Sequence, residues 1–236
     1  MAGTRVVVVC VRHGETNFNR EKRLQGQLDT ELSELGKKQA ARTASYLAAQ
    51  HKATGFDNAV SSDLRRAFET ATCIAKACNL GTVNKEPRLR ELHAGVLQGV
   101  SIADSRRDAA KRQIVEGFKN DADYVIPEGE SRRVLYERAS AALEQVVLET
   151  ASRPADAASA PNSRRVLLVA HGGVLNVLYS FVNQLDLNSD HAPHSGNCSI
   201  GTISALVTDG AVLSWEISSW GQDHHLHSDA TESDVL

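Results

Sequence analysis

Apolar and polar positions form alternating blocks along this chain, and the blocks predict strands and helices in turn. Residues 6–11 are five valines and one cysteine, a β-branched run typical of a strand that is buried on both faces. A second apolar run of the same kind covers residues 166–170. Shorter apolar runs predict further strands over residues 58–62, 82–85, 199–207 and 211–218, the last two forming a hairpin.

Apolar positions at helical spacing predict helices between these strands. Ser33 is the expected N-cap of the first helix, which carries small or apolar residues at positions 35, 40, 44, 47 and 48. The other predicted helices span residues 63–77, 130–150 and 174–185. Residues 100–126 show no strand pattern. The Ala/Ser/Pro-rich residues 151–163 predict a mobile connection, and the polar residues 223–236 predict a disordered tail.

Each of the two long apolar runs ends in a histidine followed by glycine. Arg12-His13-Gly14 follows the first run, and His171-Gly172-Gly173 follows the second. Because open α/β folds place ligands at the carboxyl ends of parallel strands, the two histidines converge if these strands are neighbours. Backbone N–H groups of the following turn or helix can face an anion there. We therefore predict one anion-binding site within a single α/β domain over residues 1–222.

Composition restricts the choice of partner and compartment. The 236 residues are 42% hydrophobic and 23% charged, as in an ordinary globular protein. A net charge of −3 argues against nucleic acid or an anionic membrane as a partner. No apolar stretch approaches the length of a membrane span. The four cysteines show no CxxC spacing, which favours reduced thiols in a cytoplasmic protein.

Several other catalytic classes lack their motifs in this chain. There is no Walker-type glycine loop, no HExxH, and no cysteine with an arginine six residues downstream. The segment His224-His225-Leu226-His227 has a metal-like composition but lies in the polar tail without a second ligand cluster. We therefore expect neither a metal site nor a cofactor.

The strand-end segments and those between them resemble the histidine phosphatase superfamily, with its phosphoglycerate mutase-like fold. The resemblance is to the branch 1 phosphatases with an Arg-His-Gly motif, such as fructose-2,6-bisphosphatase and the broad-specificity phosphatases. It implies a three-layer α/β/α sandwich whose sheet is mostly parallel, with an antiparallel edge strand. The segments that carry it run in order along the chain: residues 12–19, 25–29, 32–40, 62–67, 89–99, 129–131 and 170–173.

The resemblance also implies roles for particular residues. His13 corresponds to the nucleophile and Glu91 to the proton donor. The residues that correspond to phosphate ligands are Arg12, Asn19, Arg66 and His171, and further candidates for substrate binding are Thr16, Gln25, Gly26 and Gly172. On the helix predicted over 63–77, Arg65 lies closer to the apolar face than Arg66, so only the resemblance selects Arg66.

The activity implied is hydrolysis of a phosphomonoester of a small metabolite, a sugar phosphate or sugar acid phosphate, through a phosphohistidine. The first alternative is a phosphoglycerate mutase. Mutases of this family carry Arg-His-Tyr after the proton donor, whereas this chain has Leu92-His93-Ala94, although Leu97-Gln98-Gly99 follows the mutase pattern. The second alternative is an inactive phosphate-binding scaffold. It would predict the loss of at least one of five residues that are all present: Arg12, His13, Arg66, Glu91 and His171.

The basic residues of the segment 100–126 leave two interpretations open. They could recognise a second anionic group of the substrate, or they could form an ordinary solvated helix face. The residues concerned are Arg106, Arg107, Lys111, Arg112 and Lys119.

Overall fold

A computed structural model describes residues 3–153, 162–189 and 192–227 of the chain. Its strands are β1 (Thr4–Arg12), β2 (Asn58–Ser61), β3 (Asn84–Lys85), β4 (Ser163–Ala170), β5 (Ile200–Thr208) and β6 (Ala211–Gln222). Its α-helices are α1 (Asn17–Arg20), α2 (Glu34–Gln50), α3 (Arg65–Ala77), α4 (Ile102–Arg107), α5 (Ala109–Asn120), α6 (Arg132–Ala151), α7 (Gly172–Val182) and α8 (His224–His227). Short 3₁₀ turns cover Pro87–Leu89 and Gly95–Leu97.

The six strands form one sheet in the order β3-β2-β4-β1-β5-β6. Strands β3, β2, β4 and β1 are parallel, whereas β5 is antiparallel to β1 and continues through a hairpin into β6. The predicted α/β fold with a mostly parallel sheet is confirmed. The antiparallel strand β5 lies one position inside the edge, because the second strand of the hairpin adds to the outside of the sheet.

Helices cover both faces of the central strands. On one face, α6 and α7 pack against the sheet through residues such as Leu143, Val147 and Leu178. On the other face, α2 and α3 pack through Leu47 and Ile74. Residues 8–11 of β1 are at most 2% exposed, as expected of a strand with apolar residues on both faces. This double burial fixes the positions of β1 and β4, whose carboxyl ends carry the two histidines.

Most predicted elements agree with the structure, and the differences occur mainly at their ends. The hydroxyl of Ser33 caps α2, since it accepts a hydrogen bond from Gly36 N at 3.0 Å. Helix α3 begins at Arg65 rather than at residue 63, because Leu64 is in an extended conformation and its N–H bonds to Ser62 Oγ at 3.3 Å. The segment 100–126, where no strand was predicted, contains α4 and α5, capped by Ser101 and Asp108.

The C-terminal segment departs from the prediction of a tail that is disordered from residue 223. Residues 224–227 form α8, in which His225 is buried, stacks on Tyr46 and lies 2.9 Å from Thr43 Oγ1. The prediction was wrong for these residues because a polar composition does not reveal a ring that packs and bonds on α2. In the described part of the chain, α8 included, no three or more His, Cys, Asp or Glu side chains form a group that could hold a metal.

Two further predictions fall partly or wholly on residues that are not described. Residues 154–161 of the predicted mobile connection, and residues 228–236 of the predicted tail, lie outside the described residues. Within the described ranges, no helix has both the length and the apolar character needed to cross a membrane.

Candidate active site

The register of β1 against β4 brings the two strand-end histidines together. Arg12 pairs with Ala170 across the parallel ladder, so the next residue of each strand, His13 and His171, lies at the same edge of the sheet. Their ring centroids are 5.1 Å apart, and His13 and His171 are 2% and 0% exposed. The convergence that was expected of neighbouring strands is therefore present.

The His13 ring is held in one tautomer. Its Nδ1 lies 2.7 Å from the carbonyl oxygen of Gly14. Because a carbonyl oxygen can only accept, Nδ1 must carry the proton, and Nε2 of the neutral ring keeps its lone pair. Burial, followed by the charges of Arg66 and Arg12, lowers the pKa of His13 well below its ordinary value. The ring is thus neutral near pH 7, with Nε2 available to attack an electrophile.

His171 is also neutral and fully buried. Burial is the main cause that lowers its pKa well below the ordinary value, and the charge of Arg66 comes second. Its Nε2 lies 2.8 Å from Ser62 Oγ. Its Nδ1 is buried and has no hydrogen-bond partner among the described residues. If the Ser62 hydroxyl donates to Nε2, then Nδ1–H is a donor whose partner must come from a ligand.

Two arginines flank the histidine pair, and backbone carbonyls orient both of them. Arg12 donates from Nη1 to the carbonyl oxygen of Ser195 at 2.6 Å. Arg66 donates to the carbonyl oxygens of Leu28 at 2.8 Å and Gly26 at 2.9 Å. Burial lowers the pKa of Arg66 to about 10, so the group remains charged near pH 7. These bonds fix the guanidinium planes before any ligand arrives.

Arg66, and not its neighbour Arg65, lies in the site. Arg66 is 0% exposed, whereas the side chain of Arg65 is 51% exposed and pairs with Glu31 and Glu69. Helical periodicity favoured Arg65, because that reasoning assumes that burial follows apolar packing. Arg66 is buried instead by hydrogen bonds to the loop around Gly26, a signal that periodicity does not contain.

Three nitrogens of these side chains have no hydrogen-bond partner in the described part of the chain. They are Arg12 Nε, Arg66 Nε and His171 Nδ1, and all three are buried. Buried polar groups in folded proteins are nearly always paired, so three in one place indicate a ligand that accepts hydrogen bonds. Two guanidinium groups at this position fit an oxyanion such as phosphate.

Glu91 lies beside this anion site at the N-terminus of α7. Its Oε1 accepts from Leu92 N at 2.8 Å, and its Oε2 accepts from Gly173 N at 3.1 Å. A methyl group on Gly173 would overlap Oε1 of Glu91. The sequence singled out Gly172 instead, but Gly172 is not among the residues that line the cavity. The sequence signal that could have pointed to Gly173 is that it is the second glycine after His171.

Replacing Gly173 with alanine is expected to displace the Glu91 carboxylate, because the new methyl group and Oε1 cannot occupy the same space. A misplacement of about 1 Å can cost about 100-fold in rate. If Glu91 is the proton donor that the resemblance implies, steady-state kinetics on an alkyl phosphate should show such a loss. Gly81→Ala is the matched control, since a methyl group there meets no atom within 4 Å. Full activity of Gly173→Ala would contradict the contact.

The remaining candidates from the first loop occupy different positions. Asn19, Gln25 and Gly26 line the cavity. Thr16 is fully buried and does not line it. The Thr16 hydroxyl accepts from the backbone N–H of Asn19 at 3.1 Å and donates to Gln25 Oε1 at 2.9 Å. Of the two roles open to Thr16 from sequence, the structure supports the cap of α1 and places no Thr16 atom at the cavity wall.

Arg12, His13, Arg66 and Glu91 line a cavity of about 670 Å³, whereas the fully buried His171 is not among its lining residues. Much of the remaining wall is apolar and comes from Leu24, Leu92, Ala94, Ile102, Phe118, Leu135, Val177 and Leu187. Cationic side chains that also line it are Lys22, Arg23, Lys119 and Arg132. Lys119 is the only member of the basic set at 106–119 that lines this cavity, and the sequence did not point to the other three. The cavity therefore fits a phosphate that carries an organic group.

Comparison with known proteins assigns the chain to a family. Residues 8–218 match the histidine phosphatase superfamily (branch 1). The chain is 34% identical over 227 residues to the probable phosphoglycerate mutase GpmB of Escherichia fergusonii, covering 95% of this chain and 97% of that protein. This chain therefore belongs to the histidine phosphatase superfamily (branch 1).

Solved structures give the same result. A mycobacterial glucosyl-3-phosphoglycerate phosphatase in complex with VO3 superposes with a TM-score of 0.77 at 33% identity, covering 93% of this chain and 100% of that one. The phosphoglycerate mutase of Bacillus anthracis superposes with a TM-score of 0.73 at 21% identity, covering 95% of this chain and 96% of that one. This second match shows a shared fold.

Proposed function

We propose that this protein is a phosphatase that hydrolyses the phosphomonoester of a small metabolite through a phosphohistidine on His13. The observation that carries this proposal is the set of three buried nitrogens without partners, Arg12 Nε, Arg66 Nε and His171 Nδ1, next to a histidine with a free Nε2. A phosphate ester is largely a dianion near pH 7. Two arginines therefore neutralise it, and His171 adds a hydrogen bond to a phosphate oxygen.

In the first step, the lone pair of His13 Nε2 forms a bond to phosphorus. The ester P–O bond breaks, and its electron pair leaves with the alkoxide, which takes a proton from the Glu91 carboxyl group. The Gly14 carbonyl stabilises the positive charge on the ring through Nδ1–H. The products of this step are the free alcohol and phosphohistidine.

In the second step, water replaces the alcohol. The Glu91 carboxylate takes a proton from the water while the water oxygen attacks phosphorus. The P–N bond breaks, and its electron pair returns to His13 Nε2. The net reaction consumes one ester and one water and releases one alcohol and one inorganic phosphate, with Glu91 again protonated.

The residues after Glu91 favour hydrolysis over transfer of the phosphoryl group back to a bound sugar acid. Leu92 and Ala94 line the cavity there and offer no charge beside the proton donor, so a carboxylate of the substrate would have to be held elsewhere in the cavity. The ring of His93 accepts from Gly95 N at 3.3 Å and so stabilises the local turn. Phosphoglycerate mutation remains the second candidate because of the 34% identity to probable GpmB.

The substrate class that we propose is a phosphorylated sugar acid. Two cavity cations, Lys22 and Lys119, have no side-chain partner among the described residues and can face a carboxylate of the substrate. The apolar wall leaves room for a sugar ring. A mycobacterial relative at 33% identity is named as a glucosyl-3-phosphoglycerate phosphatase, which is consistent with this class.

The purified protein is expected to release phosphate from glucosyl-3-phosphoglycerate and from 3-phosphoglycerate, in that order of kcat/KM. Because arginines neutralise the phosphate, treatment with EDTA followed by gel filtration should leave the rate unchanged. Malachite-green detection measures phosphate, and NMR separates 2- from 3-phosphoglycerate. Interconversion of the two without phosphate release would favour the mutase. No turnover of any phosphate ester, with binding of inorganic phosphate retained, would favour the scaffold.

A further inference from the structure

One half-buried arginine, Arg138, ties the backbone segment that carries Glu91 to α6. Arg138 donates from Nη1 to the carbonyl oxygens of Arg88 and Arg90, both at 2.6 Å. It donates from Nη2 to the carbonyl oxygen of Glu91 at 3.0 Å. Three carbonyls within four consecutive residues therefore point at a single guanidinium group.

Glu130 completes this arrangement from the residue before the N-cap of α6. It accepts from Arg138 Nη2 at 2.6 Å and from Nε at 3.0 Å. Its Oε1 also accepts from the backbone N–H of His93 at 2.8 Å. The side chains of Arg138 and Glu130 are only 18% and 13% exposed. All five N–H groups of the guanidinium are thus used, three on the segment and two on the carboxylate.

This segment has little structure of its own that could place Glu91. Its only regular element is the 3₁₀ turn Pro87–Leu89, and the strand β3 has already ended at Lys85. The Glu91 carboxylate accepts hydrogen bonds from Leu92 N and Gly173 N. The second of these bonds exists only if the segment lies close enough to the N-terminus of α7. Arg138 contributes three of the hydrogen bonds that hold the segment in place, beside the bond from Gln27 Nε2 to the Glu91 carbonyl oxygen and the ion pair of Arg90 with Asp63.

We infer that Arg138, oriented by Glu130, is a positioning residue that fixes the Glu91 carboxyl group at the leaving oxygen. This inference rests on the proposed function, in which Glu91 transfers the proton. A half-buried arginine bound to carbonyls could serve stability alone. A positioning role predicts a selective effect on catalysis: loss of Arg138 should impair proton transfer and leave the phosphate ligands intact.

Arg138→Met is expected to lower kcat/KM for 3-phosphoglycerate, an alkyl phosphate, about 100-fold. The loss for p-nitrophenyl phosphate should be several times smaller, because nitrophenolate leaves with little help from a proton. The inhibition constant of inorganic phosphate should stay unchanged, because Arg138 makes no hydrogen bond to Arg12, Arg66 or His171, and burial rather than the charge of Arg138 is the main cause that lowers the pKa of His171. Arg138→Lys should recover only part of the loss, because an ammonium group cannot bind five acceptors in one plane.

Arg133→Met is the matched control. Arg133 lies on the same helix and makes a two-bond ion pair with Asp123, at 2.8 and 3.2 Å, but it is exposed and touches no part of the Glu91 segment. Its replacement should leave both substrates unaffected. Thermal unfolding of all variants separates loss of fold from loss of function.

A double mutant provides the decisive comparison. In a Glu91→Gln protein, Arg138→Met should cause no further loss on 3-phosphoglycerate, because the group that it positions is already absent. If Arg138→Met does not fold, Glu130→Gln takes its place, with a smaller loss and the same dependence on leaving group. Equal losses on both substrates, additive losses with Glu91→Gln, or weaker inhibition by phosphate would each overturn the inference.

These outcomes are distinct from a failure of the proposed function. If the unmodified protein hydrolyses neither substrate, the proposed function fails, and with it the inference that rests on it. The loss of kcat/KM caused by Glu91→Gln could depend on the leaving group while the losses caused by Arg138→Met and Glu130→Gln do not. In that case the proposed phosphatase activity stands, and only the positioning role is overturned.

Discussion

Replacing His13 with alanine is expected to abolish both the turnover of phosphate esters and the covalent labelling of the protein. His13 is the ring whose Nε2 is left free by the bond from Nδ1 to Gly14, and it lies next to both arginines of the site. Loss of a nucleophile of this kind typically lowers kcat by about 10⁴-fold or more. We expect a loss of that order.

The measurement is a trapping experiment. Incubation with a phosphate ester labelled in its phosphoryl group, followed by an alkaline quench, should leave on the protein a label that acid removes. Phosphohistidine has this stability, whereas phosphoserine does not lose its phosphate in mild acid. His51→Ala is the matched control, since His51 lies at the C-terminal end of α2 against Phe56. A label that persisted in His13→Ala would assign the nucleophile elsewhere.

Replacing Glu91 with glutamine is expected to slow hydrolysis of alkyl phosphates by about 10²–10⁴-fold, the usual contribution of a general acid. The amide keeps the shape of the side chain, and its single oxygen can still accept from either Gly173 N or Leu92 N, so the fold should be unchanged. It cannot give up a proton to an alkoxide. Release of p-nitrophenol, whose conjugate base is stable, should fall much less.

Burst kinetics distinguish the two duties of Glu91. If the second step becomes limiting, Glu91→Gln should release one equivalent of nitrophenol quickly and then stall, since the carboxylate that activates water is gone. Glu149→Gln, an exposed change at the far end of α6, controls for loss of charge. Equal losses on both kinds of substrate without a burst would demote Glu91 to a structural role, and Glu86 or Glu15 would be the next residues to test.

The parts of this site that sequence could predict are those that depend on buried strands. The valine run ending at Arg12 and the run ending at Ala170 each pack on both faces, so their apolar residues predict where they end and which histidine follows. Pairing of β1 with β4 then brings His13 to His171. Local patterns of hydrophobicity are sufficient for the ends of the two strands, whereas the adjacency of β1 and β4 comes from the fold.

Residues that are placed by bonds to backbone carbonyls could not be predicted in the same way. Such bonds hold Arg66 and Arg138 in place, and periodicity has no means of identifying them. The contact of Gly173 with Glu91 joins residues far apart in the chain, so it depends on the finished fold. The ring packing of His225 on Tyr46 is likewise invisible in a polar composition.

The pairing of β1 with β4 also determines when the site can first exist during synthesis. His13 leaves the ribosome well before His171, because β2 and the helices α2 to α6 lie between them in the chain. The intervening helices and β2 can begin to fold early, yet β4 must still insert between β2 and β1. A chain that has not yet added β4 therefore lacks the paired histidines, and the anion site appears only with the long-range contacts that complete the sheet.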